Sequence, residues 1–251
     1  MTFTKLLITS LAGLMLSTAA LATETQIMIR AKAVDAKFIG SSVGGVKVVV
    51  EDAETNEILD TGWIQGGTGS TDTIIKNPIT RGQMISNDKT AGFIANVDIN
   101  SPRLLRFKLI APYGYRQALQ EATVTSWVIP GKDILGDGII LTMSGFIVDA
   151  WTRVLEGGKV EIYTKAALLC GCPIYPDGPW DPKNYEASAI IMKDGVNVTE
   201  IKLDFTGPIG LFSGNTTIKE SGHFKAIVTL FDKDTGNVGV DRTLFEINLK
   251  E

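Results

Sequence analysis

Residues 46–64 read VKVVVEDAETNEILDTGWI. A valine-rich run, an acidic turn around Glu54, Thr55 and Asn56, and a second run ending in Gly62-Trp63-Ile64 describe two strands joined as a hairpin. The alternation extends upstream. In Ile27-Met28-Ile29-Arg30-Ala31-Lys32-Ala33-Val34 apolar groups recur at every second position, the period of a half-buried strand. Strand-like runs resume at 91–99, 104–111, 124–128 and 139–143, and no segment of this half sustains helical spacing, although 117–121 has room for one turn. From Gly66 to Asp88 no clear period holds, so this stretch reads as a long excursion across one sheet edge.

The valine strand, the acidic turn and Thr61-Gly62-Trp63 resemble the opening hairpin of the carboxypeptidase-regulatory-like or transthyretin-like sandwiches. That resemblance implies an accessory or binding domain and carries over no functional residue. Downstream, the expected boundary falls between residues 150 and 151, where Trp151-Thr152-Arg153-Val154-Leu155-Glu156-Gly157-Gly158 interrupts the strand rhythm. Six further runs follow at 159–169, 185–193, 198–205, 211–219, 224–231 and 240–249, with Asp194-Gly195 as a hairpin signal. Gly222-His223-Phe224 and the turn Asp234-Thr235-Gly236-Asn237 resemble the closing hairpin of bacterial immunoglobulin-like domains, and the number and spacing of strands independently favour a sandwich. The expected fold class is therefore all-β: two tandem antiparallel sandwiches, transthyretin-like over 23–150 and immunoglobulin-like over 151–251.

Residues 1–22 carry Lys5, the apolar run 6–16 and Ala20-Leu21-Ala22, the three parts of a cleaved secretory signal. The apolar run is shorter than the roughly 20 residues of a membrane span. No later stretch is long enough either, so the expected location is the bacterial periplasm or the exterior, with no membrane span. Of 251 residues, 44% are hydrophobic and 21% charged, a folding composition. The formal net charge of −4 argues against nucleic acid and anionic lipid as partners. The partner expected is another envelope protein or a metal ion.

One histidine and two cysteines leave few catalytic side chains. There is no Walker loop and no pair of metal-binding histidines, and the expectation is that the chain is not an enzyme. Chemistry concentrates instead at Cys170-Gly171-Cys172. On a strand, residues two apart share a face, and Gly171 can bend the chain enough for a disulfide. Three readings stay open: a soft-metal site for copper or zinc, a readily exchanged disulfide, and a disulfide that merely stiffens the loop. If strands alternate from residue 159, the end of the first and the start of the penultimate are taken to share a pole. His223 would then join Cys170 and Cys172 as a metal ligand, with Met143 or Met192 as a further thioether.

The following loop holds Pro173, Pro176, Pro179 and Pro182, with Tyr175 and Trp180 between them. Stiff backbone and aromatic area suit a partner-binding surface, while Trp180 folded back as a cap on the core is the alternative. Cys170-Gly171-Cys172-Pro173-Ile174, Gly178-Pro179-Trp180-Asp181 and Tyr185-Glu186, in this order, also resemble a group of exported bacterial proteins. That resemblance implies architecture alone. The acidic turns at Asp137-Gly138 and Asp232-x-Asp234 contain oxygen ligands for calcium, but both read better as ordinary turns.

Overall fold

The structure, a computed structural model, describes residues 22–249, so the expected leader falls outside the described residues but for Ala22. Fourteen strands carry the fold among them. The first seven are β1 (Thr23–Ala33), β2 (Val46–Asp52), β3 (Ile58–Ile64), β4 (Phe93–Ile99), β5 (Arg103–Ala111), β6 (Gln120–Val128) and β7 (Ile134–Met143). They form two sheets, β4-β1-β7 and β3-β2-β5-β6. Period-two alternation turns Ile27, Ile29 and Ala31 of β1 and Val97 of β4 inward, against Val48 and Val50 of β2 and Leu105, Phe107 and Leu109 of β5, all buried. Burial of this many apolar side chains drives the two sheets together.

The other seven are β8 (Phe146–Val154), β9 (Lys159–Leu168), β10 (Tyr185–Lys193), β11 (Val196–Phe205), β12 (Leu211–Thr217), β13 (Gly222–Asp232) and β14 (Asn237–Ile247). Their continuous order is β14-β13-β10-β11-β12-β9-β8. The sheet folds over on itself at β11, which pairs with β10 from Val196 to Leu203 and with β12 only through Asp204 and Phe205. Ile162 and Leu168 of β9 and Phe212 of β12 thereby enclose a core with Ala189 and Ile191 of β10 and Val228 and Leu230 of β13. The edges meet again where β14 crosses β8: Ala150 N–H donates to Asp241 Oδ2 at 2.9 Å, and a side chain on Gly239 would strike Phe146.

The chain is all-β, in two tandem sandwiches, as expected. Two details differ. β1 and β7 run parallel, so the first sandwich is mixed where a purely antiparallel one was expected. Sheet membership changes at Ser144-Gly145, so the boundary expected after residue 150 falls inside β8, which pairs with β9 along its whole length. Asp149, Trp151 and Arg153 form the exposed face of β8, and the charges of Asp149 and Arg153 are what make this strand look like an interruption in the sequence.

The hairpin at 46–64 is pinned by Asp52. Its carboxylate accepts from the N–H groups of Glu54 and Thr55, both at 2.9 Å, and from Arg103 Nη1 at 2.8 Å. The Thr55 N–H, the Arg103 guanidinium and the Glu54 N–H hold its pKa down to about 2. The folded value lies below that of the unfolded chain, so the stabilisation is present above the unfolded value and is lost as pH falls through the folded one. A carboxyl-carbon NMR titration should place the Asp52 midpoint near 2. Asp52→Asn should be less stable than the parent at neutral pH and converge with it in acid. A midpoint in the ordinary aspartate range would remove this account of the turn.

Candidate functional site

The Cys170-Gly171-Cys172 segment leaves the end of β9 as a tight turn. Gly171 N–H donates to Leu168 O at 2.7 Å and Leu168 N–H to Cys172 O at 3.1 Å, with Gly171 at a φ of +75° that a side chain would strain. The two cysteines form a disulfide across this turn, their Cα atoms 5.3 Å apart, and both are buried. Gly171 thus supplies the bend that an extended strand lacks. In this form neither sulfur is a thiolate, so neither is a metal ligand.

His223 does not join them. Each of β9, β10, β11, β12 and β13 is antiparallel to the one before, so β13 runs in the same direction as β9 and starts at the opposite pole. The register is explicit. Tyr185, just after the Cys loop, pairs with Asp232 at the end of β13, whereas His223 pairs with Glu246 at its exposed start. The expected shared pole is therefore corrected by one strand of parity. Met192 pairs with Lys225, two residues from His223, and Met143 is buried at the end of β7. Among the described residues no group of three or more His, Cys, Asp or Glu side chains is placed to hold a metal ion.

The acidic turns are also occupied by protein donors. Asp232 accepts from Asp234 N–H at 2.9 Å and Thr235 Oγ1 at 2.7 Å, the bonding of an Asx turn. Asp137 sits in a bulge of β7 and accepts from the N–H groups of Ile85 and Ser86 and from Ser86 Oγ. Although partly desolvated, its carboxyl is held below the ordinary range by the Ser86 hydroxyl and these two N–H groups. Donors aimed at both oxygens define a hydrogen-bonded strut, not a calcium loop.

The proline loop turns inward. Trp180 is 3% exposed, and its Nε1–H donates to Asp35 O of the first sandwich at 2.8 Å. Ile174 is fully buried, Ser42 Oγ donates to Cys170 O at 3.2 Å, and a side chain on Gly171 would come within 2.9 Å of Val43. Asp181 ties the loop to itself, accepting from Lys183 N–H and Asp177 N–H, which hold its carboxyl low. Trp180 is thus spent on an internal contact and offers no partner surface. Tyr175 remains 36% exposed, its ring lying against Gly178 where a larger residue would collide. It borders an open cavity of about 280 Å³ beside the disulfide, shared with Lys37, Thr68 and Thr71.

No family model matches the chain. Nor does any curated protein. Among solved structures, the chicken interferon gamma receptor alpha chain aligns with 92% of this chain and 100% of its own at 10% identity, with a TM-score of 0.33. A Klebsiella pneumoniae pullulanase complexed with maltotriose aligns with 90% of this chain and 20% of its own at 9% identity, with a TM-score of 0.23. At these scores the likenesses carry no argument, and the fold description rests on the strands themselves. No helix among the described residues is long and apolar enough to cross a membrane.

The residues that tie the molecule together were not those singled out for chemistry. Asp35, Ser42 and Asn237 make contacts across sequence separations of 145, 128 and 92 residues. Arg30 had one sequence signal: in an alternating strand it falls on the outward face, yet it is 4% exposed, which requires something to cover it.

Proposed function

We propose that this chain is an exported, non-enzymatic accessory module of the bacterial cell envelope, in which the Cys170–Cys172 turn braces the contact between two sandwiches. The observation that carries this reading is the seat of Trp180 in the first sandwich. A loop that looked available for metal or partner is committed to joining the two halves. In this reading the first sandwich is of the transthyretin-like or carboxypeptidase-regulatory-like type and the second of the immunoglobulin-like type. Support for the latter is the distribution of its strands: first, second and fifth on one layer, third, sixth and seventh on the other.

The test is chemical. Protein isolated from an oxidising compartment without reductant should show no titratable thiol and carry no stoichiometric copper or zinc. The Cys170→Ser/Cys172→Ser double variant should lose about 1–2 kcal/mol, the loop-entropy contribution of so short a bridge. That corresponds to a Tm lower by roughly 3–6 °C for a chain of this size. Free thiols together with a bound metal that departs in the double variant would replace this reading with the soft-metal one.

A further inference from the structure

The segment from Gly66 to Gly92 runs over the sheet β4-β1-β7, ordered by a short helical turn at Asp72–Lys76 and by the bridge between Gly67 and Thr90. Excursions of this length inside a compact domain usually exist for a function. Two side chains from the sheet hold it down. Asp137 binds Ile85 and Ser86, and Arg30 Nη1 donates to Thr90 O at 2.6 Å and Ala91 O at 2.7 Å. Between loop and sheet lies a cavity of about 430 Å³, the size of a small-molecule site. Its wall combines Met28, Met84 and Ile94 with Arg30, Asn87 and the exposed Asp88.

Arg30 is over-provided for the task of holding the loop. Its Nη1 makes both loop contacts, Nη2 makes a single long bond of 3.3 Å to Gly136 O, and Nε is buried with no acceptor at all. Among the described residues no carboxylate pairs with the guanidinium within salt-bridge distance, and Asp137, whose field acts on it, is fully engaged by the loop. A guanidinium keeps its charge under almost any burial, so Arg30 stays cationic beside this cavity. Arg30 lines the cavity, and the second N–H of its Nη2, beyond the long bond to Gly136 O, is the donor left for an acceptor there.

We infer that this cavity binds a small organic carboxylate with an apolar tail, the carboxylate on Arg30 and the tail between Met28, Met84 and Ile94. A cation is disfavoured by the same guanidinium. The thioethers accommodate tails of different shape, because methionine is flexible and polarisable. Nothing in this inference depends on how the two sandwiches are joined, so it can fail or stand separately from the proposed function.

Hexanoate and its neutral analogue hexanamide test it on the full mature chain. Hexanoate should saturate a single site with Kd below about 1 mM, and the Arg30 Nε–H resonance should move with the same isotherm. Hexanamide should bind at least about tenfold more weakly, a difference of 1.4 kcal/mol. Met84→Glu alters a side chain that is 56% exposed, so it should fold normally and lose hexanoate by a similar factor by placing a like charge at the site. Arg30→Met should lose it entirely; if that variant does not fold, Met84→Glu and the Arg30 resonance decide. Equal binding of hexanamide, an unmoved Arg30 resonance or no saturable hexanoate binding would each overturn the assignment.

Discussion

Trp180→Ala should destabilise the protein by about 4 kcal/mol, the usual cost of deleting a buried tryptophan side chain. The magnitude follows from position. Trp180 is almost wholly buried, it packs within the same apolar cluster as Val43 and Ile39 of the first sandwich and Ile174 and Tyr185 of the second, and its Nε1–H closes on Asp35 O. Removing it leaves a cavity and deprives the Asp35 carbonyl of its donor at the same time. Trp180→Phe keeps most of the area and loses only the N–H, so its cost should be about 1–2 kcal/mol. Calorimetry adds a second readout. If the loop joins the halves, the parent should unfold in one transition and Trp180→Ala in two, because the sandwiches then melt separately. A Trp180→Ala protein within about 1 kcal/mol of the parent, unfolding in one step, would show that the joint lies elsewhere.

Legibility in the sequence followed the range of the physics. The strand at Ile27 to Ala33 and the hairpin after Val46 were readable because alternation and turn chemistry act between near neighbours, and both are as expected. Parity acts over a whole domain. Placing His223 beside the cysteines required the directions of five consecutive strands to be composed correctly, and one strand of error moves a residue to the opposite end of a sandwich. Trp180 shows a different limit. Its loop carries four prolines and so is stiff, but stiffness is compatible with facing solvent or facing a neighbour, and only the position of Asp35 decides. Arg30 lay in plain view within an alternating strand. Its role needed the aperiodic Gly66–Gly92 segment to be placed over it, and an aperiodic segment has no pattern from which to place it.

Asn237 carries the second large effect. In sequence it completes a Gly-Asn turn, and it does begin β14, but its side chain is buried and turned across to β8. Its Nδ2 donates to Gly145 O at 3.0 Å and its Oδ1 accepts from Gly145 N–H, so one side-chain amide satisfies both backbone polar groups of a buried glycine where the folded sheet closes. Asn237→Ala should strand both. At about 1–3 kcal/mol for each orphaned group, the expected loss is about 3 kcal/mol, measurable by urea unfolding. Asn237→Asp makes the argument sharper. A carboxylate can still accept from Gly145 N–H, but it turns an acceptor toward Gly145 O and is desolvated, so the folded state favours the protonated acid, which restores a donor. The pKa of the introduced carboxyl should therefore be raised above its unfolded value. The stability of this variant relative to the parent should recover as pH falls through that raised value and be lost again as pH rises through it. Asn237→Ala should show no such recovery, because alanine has nothing to protonate. If the aspartate and alanine variants track each other across that pH range, the amide is not bridging Gly145, and the closure of the second sandwich rests on the packing of Gly239 against Phe146 instead.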